Sequence, residues 1–208
     1  MLIAGVDDAG RGPAIGPLVI AGVTFLESQM PKLRLLGVKD SKVLSSKRRA
    51  ILSYEVKRLA VKWEVVELEP SKVDEIVLNG WKLHKLNWLE AMTMAEIIRR
   101  LHPDAAYVDA SDIIQERFGS QIKETLPFKV NVVSEHHADA NYVVVSAASI
   151  VAKVHRDDAI ALLRKKYGDF GSGYPNDPKT KQFLQACAKD RKFPDCIRKS
   201  WKTIKRFM

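Results

Sequence analysis

Cysteine is scarce in this chain: two among 208 residues, Cys187 and Cys196. They show no CxxC spacing and no companion histidines, which argues against a zinc site or a disulfide framework and leaves reduced, structural thiols. Long apolar runs are missing too, and no stretch approaches the ~20 residues of a membrane span. The opening Leu2-Ile3-Ala4-Gly5-Val6 is too short for the apolar core of a secretion signal and lacks a basic flank. A cytoplasmic protein with no membrane association is expected. Repeats and low-complexity segments are also lacking, and the length suits one domain with a sizeable core and room for a small appendage.

Charge, by contrast, is plentiful and uneven. Of a formal net charge of +9, +8 falls between Pro178 and Met208, where ten lysines and arginines face only Asp190 and Asp195. Phe183, Phe193, Trp201 and Phe207 interleave with those cations. The segment therefore reads as a packed basic helical extension, residues 178–208, on a catalytic body of residues 1–177. Such a surface attracts phosphate backbones by counterion release, without regard to sequence; a merely solvated helix face is the plainer reading.

Apolar patterning predicts strands over Leu2–Val6, Leu18–Phe25, Val61–Leu68, Ala105–Val108 and Lys129–Val133. Helices are expected over Ser45–Leu59, Pro70–Val77, His84–Leu101, Ser111–Thr125 and Tyr142–Tyr167. Three early strands followed by strand–helix alternation imply a mixed α/β sheet covered by helices. Trp63, Trp81 and Trp88 are expected in the core.

The acids fall at telling places. Asp7 and Asp8 end the first predicted strand, Asp109 the fourth, and Asp139 follows the fifth. Sites in such sheets lie beyond strand ends, where several elements deliver side chains to one point. Each acid alone is as readily a cap or turn residue. A cluster of all four would be untenable without divalent cations, and oxygen-only ligands suit magnesium or manganese. Two such ions equip a protein for phosphodiester cleavage, one activating water and the other steadying the leaving oxygen. Gly10 and Gly12 strip side chains from the backbone on either side of Arg11, which lets a nucleic-acid strand approach; a simple Gly-Pro turn beside a surface acid pair would look the same. Lys39-Asp40-Ser41-Lys42 is a charged turn or a phosphate contact. Lys153 and Arg156 share a helix face and could bind a phosphate with Ser146, whereas Ala147 and Ala148 permit close packing. His136 and His137 read as a surface loop, with a proton shuttle as the bolder alternative. Tyr174 sits in a Gly/Pro-rich loop, where stacking on a sugar or base is a good use for it.

Taken together, GVDDAGRGPAIGPLVIAGV at 5–23, KDSKVLSSKRR at 39–49, YVDA at 107–110, ADANYVVVSAASIVAKVHRD at 138–157 and GSGYPNDPKT at 171–180 resemble the type 2 ribonucleases H, ribonuclease HII, most of all the compact archaeal members. The resemblance implies a ribonuclease H-like mixed sheet flanked by helices, with a C-terminal helical extension. It implies metal ligands at Asp7, Asp8, Asp109 and Asp139, holding two Mg2+ or Mn2+ ions. It further implies that Gly10, Arg11 and Gly12 read a ribose 2′-hydroxyl at an RNA–DNA junction and that Tyr174 stacks on the neighbouring deoxyribose; Lys42, Ser146, Lys153 and Arg156, read from their own types and spacing, are the further expected substrate contacts. The expected partners are RNA/DNA hybrids and DNA duplexes containing ribonucleotides, acted on by a monomer.

One position departs from the family pattern, which has glutamate where this chain has Asp8. The charge is kept, but the reach shortens by one methylene, about 1.3–1.5 Å, against a ligand tolerance of about 0.2 Å. Two other readings stay open. A nucleic-acid-binding module without catalysis accounts for the basic segment and Tyr174 but not for the acids. Another metal-dependent nuclease or a strand-transfer enzyme on the same fold accounts for the acids but not for the loop at 10–12.

Overall fold

The computed structural model describes residues 1–38, 44–79 and 85–208. Five strands form one sheet in the order β3-β2-β1-β4-β5: β1 (Leu2–Ala9), β2 (Leu18–Leu26), β3 (Lys62–Leu68), β4 (Ala105–Asp109) and β5 (Asn131–Glu135). β1, β2 and β3 make an antiparallel meander, while β4 and β5 run parallel to β1. Around the sheet lie α1 (Met30–Leu35), α2 (Ser46–Leu59), α3 (Pro70–Asn79), α4 (Lys85–Leu101), α5 (Gln115–Thr125), α6 (Ala138–Asn141), α7 (Val143–Tyr167), α8 (Pro178–Lys189) and α9 (Lys202–Lys205).

The near-continuous apolar run of β2 follows from burial on both faces. One face packs α7 and α2 over Val19, Ala21, Val23 and Phe25; the other packs α4 and α5 against Leu18, Ile20, Val6 and Val108. The approach of α7 is unusually close. A Cβ built on Gly5 would lie 2.1 Å from the Val144 carbonyl oxygen, so β1 needs a residue without a side chain there. Ala147 and Ala148, fully buried, serve the same close packing.

Several expectations are corrected. β1 does not stop at Val6: Asp7 and Asp8 pair with Ala21 and Ile20 inside the ladder, because backbone pairing is indifferent to side-chain charge. Asp139, which follows the fifth strand, lies in a short helix of its own, α6, that the apolar pattern does not announce. α5 begins at Gln115 rather than Ser111, and β5 at Asn131 rather than Lys129. α1, which the apolar pattern does not announce, follows a 3-10 turn at Glu27–Gln29. Trp63 is not core; it is 45% exposed on edge strand β3, with the Lys57 ammonium 4.4 Å from its ring centre. Trp88 is half-buried. Trp81 and the Lys39-Asp40-Ser41-Lys42 turn lie outside the described residues.

Residues 178–208 are helical only in part. α8 starts on an Asp177 cap, whose carboxylate accepts from the Lys179 N–H, with Pro178 in the first turn. Between α8 and α9 the chain runs irregularly, and Ile197 bridges to Ile15. Leu184, Cys187, Cys196, Ile197 and Ile204 form a third apolar cluster with Ala14, Ile15, Ile160 and Phe170.

Candidate active site

The parallel register pairs Val6 with Val108. One residue further along each strand stand Asp7 and Asp109, neighbours at the same sheet end. Asp7 is 4% exposed, and its carboxyl is pushed well above the usual carboxylate range, first by burial and then by the charges of Asp8 and Asp109. Ser149 of α7 donates to Asp7 and itself accepts from Lys153 Nζ at 2.7 Å. Asp8 is pushed up to about 7 by burial, Glu90 and Asp109, against the opposing pull of Arg11. Ser111 Oγ lies 3.4 Å from Asp8 Oδ1. Asp109 Oδ1 accepts from the Ala138 N–H at 2.8 Å, which fastens α6, and with it Asp139, to the end of β4.

The four acids thus arrive from three elements, β1, β4 and α6, and Asp7 and Asp8 meet the charge of Asp109 in a buried setting. Among the described residues, no group of three or more histidine, cysteine, aspartate or glutamate side chains stands placed to hold a metal ion. The donor set nevertheless suits a hard divalent cation: carboxylate oxygens only, and charge whose desolvation a cation would offset.

Beside the acids opens a cleft of about 450 Å³, lined by Asp8, Gly10, Arg11, Gly12, Arg49, Lys153, Arg156 and Tyr174 among others. Tyr174 is 45% exposed, and the Arg156 guanidinium stands 5.5 Å from its ring centre. Arg49 of α2 bonds Asp157 at 3.1 Å and adds a cation to this wall. Ser146 does not join them. It is buried, and its hydroxyl is taken by the carbonyls of Asp139 and Tyr142, so the expected phosphate contact is replaced by a role in fastening α6 to α7. His136 and His137 are exposed, and His136 bonds the carbonyls of Ala110 and Ile113. A larger hollow of about 620 Å³, lined by Asp104, Lys123, Phe128 and Lys129 among others, lies at the opposite sheet end and holds none of these groups.

The loop at 10–12 is held from two sides. Arg11 Nε donates to both carboxylate oxygens of the fully buried Glu90, at 2.9 and 3.1 Å, and Nη2 to Asn87 at 2.6 Å. Asn87 in turn donates to Asp112, which also pairs with Arg117. Burial pushes Glu90 up to about 7 against Arg11 and Arg198. From the other side comes Arg198, fully buried, donating to the carbonyls of Gly10, Arg11 and Gly16 at 2.6, 2.9 and 3.1 Å. Sequence reasoning misses both residues. Glu90 leaves a signal, as a lone acid on the apolar α4 stripe of Leu86, Met94, Ile97 and Leu101; Arg198 leaves none, being one of ten similar cations.

Comparison with known proteins shows the family and the fold. The family model for ribonuclease HII matches residues 4–204. Ribonuclease HII of Thermococcus onnurineus is 45% identical over 209 residues, covering 99% of this chain and 89% of that protein. The crystal structure of ribonuclease H2 from Pyrococcus horikoshii superposes with a TM-score of 0.92 at 42% identity, covering 100% of this chain and 97% of that one. Ribonuclease HII of Archaeoglobus fulgidus, solved in complex with PCNA, gives 0.89 at 44% identity, with 97% and 96% covered.

Proposed function

Since the chain belongs to the ribonuclease HII family, and is therefore a ribonuclease H, a metal-dependent endonuclease with the mixed-sheet fold of its relatives, we propose that it hydrolyses the RNA strand of hybrids and also cuts on the 5′ side of ribonucleotides embedded in duplex DNA. The observation that carries this reading is the meeting of Asp7, Asp8 and Asp109 beside the side-chain-free backbone at 10–12.

Asp7, Asp8, Asp109 and Asp139 would hold two Mg2+ or Mn2+ ions. Bound there, the ions supply an activated water and charge for the leaving 3′-oxygen, leaving 3′-hydroxyl and 5′-phosphate ends. The remaining residues bind and orient. Lys153, Arg156 and Arg49 attract the phosphate backbone to the cleft wall. Tyr174 offers an exposed ring to a deoxyribose. The amides of the loop meet the ribose 2′-hydroxyl, the group that distinguishes RNA from DNA. Residues 178–208 act as a basic extension on the body at 1–177, and Lys42 as a further phosphate contact. The enzyme works as a cytoplasmic monomer; no helix among the described residues is long and apolar enough to cross a membrane.

A duplex carrying one ribonucleotide, incubated with Mg2+ or Mn2+, tests this directly. Cleavage on the 5′ side of the ribonucleotide is expected, and its loss in Asp7→Asn with duplex binding retained. Cutting regardless of sugar would point to a general metal-dependent nuclease, and binding without cutting to a non-catalytic module.

A further inference from the structure

The segment from Cys196 to Trp201 grips the loop at 10–16 through its backbone. The Arg198 side chain takes the carbonyls of Gly10, Arg11 and Gly16, its own N–H donates to Ala14 at 2.9 Å, and Trp201 Nε1 reaches Gly12 at 3.3 Å. The Gly16 N–H donates back to Cys196 at 2.8 Å. Five loop carbonyls are thus committed to one short stretch of the C-terminal segment. The chain has no cis peptide among its described residues, and a planar trans peptide points its carbonyl and the next N–H in opposite directions. With the Gly10 and Arg11 carbonyls on the guanidinium, the N–H groups of Arg11 and Gly12 are turned away from Arg198. The guanidinium itself lies 4.9 Å from the Trp201 ring centre, so the donor is stacked as well as bonded.

We propose that Arg198 is a positioning residue that sets the sugar selectivity of the enzyme, by fixing which way the amides of the loop at 10–12 point. This rests on the reading that those amides meet the ribose. Arg198 is fully buried beneath that loop and touches no carboxylate of the Asp7, Asp8, Asp109 set through any of these bonds. Its loss should therefore loosen recognition before it touches the chemistry. Lysine can reach at most part of the set, because it offers a point charge where the guanidinium offers a planar fork.

The experiment compares wild type, Arg198→Gln, Arg198→Lys and Trp201→Phe on three duplexes: one embedded ribonucleotide, a full RNA/DNA hybrid, and all DNA. Both kcat and KM are measured for the first two, competitive binding for the third, with thermal melts alongside. The wild type must first prefer the ribonucleotide; if it does not, the functional reading fails before any variant matters. Given that preference, Arg198→Gln should lose at least tenfold more kcat/KM on the single ribonucleotide than on the hybrid, where many sugars offer the same group. Arg198→Lys should recover part of the loss, and all-DNA binding should hold within twofold. Trp201→Phe removes one hydrogen bond and keeps the ring, so it decides the matter should both Arg198 variants fail to fold; a selectivity loss of about threefold is expected. Equal losses on both substrates in folded variants, or unchanged selectivity, would overturn the proposal.

Discussion

At the scale of single residues, the two glycines beside Arg11 do different work. Gly10 has φ +87°, and a Cβ there would sit 2.8 Å from the Pro17 carbonyl, so the fold itself demands glycine. Gly12 has no positive φ, and the nearest atom to its would-be Cβ is Tyr174 Cε1 at an ordinary 3.5 Å. The protein has room for a methyl there, so the fold does not demand glycine at this position, and the proposed approach of the ribose supplies a reason for it. Gly10→Ala should cost about 1–2 kcal/mol of stability. Gly12→Ala should be neutral or stabilise by about 0.4–1 kcal/mol while lowering cleavage of a ribonucleotide duplex. Thermal melts read beside initial rates separate the two, and an inactive Gly10 variant of wild-type stability would contradict the assignment. Asp8 is the second residue of interest. Asp8→Glu restores the missing methylene and should raise turnover, on the order of tenfold for a barrier change of about 1.4 kcal/mol, more in Mg2+ than in Mn2+ because magnesium is stricter about octahedral geometry. Equal or lower rates in both metals would show a site already adapted to aspartate. Protons should follow the same acids. Asp8 and Glu90 both sit at about 7, above the unfolded range, so between about pH 4 and 7 the folded state binds more protons than the unfolded one. Stability in chelator should then fall as pH rises through that window and stay low above it. Added Mg2+ or Mn2+ should raise Tm more at pH 8 than at pH 5, and a metal-free melt that rises with pH would contradict the sign.

At the scale of elements, the α7–β1 contact does most to fix the site, because α7 carries Ser149, Lys153 and Arg156 past the end of β1. Gly5 permits that contact, and its neighbour at 2.1 Å is backbone that cannot rotate aside. Gly5→Ala should therefore cost about 3 kcal/mol or more, a fall in Tm of roughly 6–12 °C at this chain length. Cleavage measured well below the new Tm should fall too, as α7 shifts its cations from the cleft; a melt within 2 °C of wild type would refute the close-packing argument, taking about 2–4 °C per kcal/mol. The five strands of the sheet and the approach of Asp7, Asp8 and Asp109 were legible in the sequence because both rest on local pattern: the β2 run is apolar throughout, and these acids fall at or just past the predicted strand ends. What stayed hidden rests on partners distant in sequence. Nothing near Asp7 announces that the ladder continues through it to Ala9, since the partner is Ala21 on β2. By sequence Ser146 reads as a phosphate ligand, being small and polar near Lys153, but only the folded turn of α6 shows where its hydroxyl goes. By sequence Trp63 reads as core because tryptophan is usually buried, and its exposure follows from β3 being an edge, a property of topology.

At the scale of the whole molecule, the basic C-terminal segment divides into an inward and an outward part. Arg198 is committed to the loop at 10–16, and Ile197 and Ile204 to the third apolar cluster. A truncation before this segment would remove core as well as charge, so deletion cannot isolate the electrostatic contribution. Lys202, Lys205 and Arg206 face solvent, and replacing all three with glutamine removes charge while leaving the buried packing in place. If these side chains neutralise phosphates, each one replaced should lower the slope of log affinity against log salt by about 0.9 on a duplex. Affinity should weaken alike for all-DNA, hybrid and single-ribonucleotide duplexes, because phosphates carry no information about the sugar or base. Selectivity should be unchanged, in contrast to what the proposals for Arg198 and Tyr174 require. Fluorescence anisotropy on the three duplexes from about 50 to 200 mM salt, the range over which phosphate neutralisation is strongly salt-dependent, measures slope and selectivity together. A triple variant with the wild-type slope would show that the outward cations stand clear of the nucleic acid, and one that changes selectivity would show that the extension reads more than phosphate.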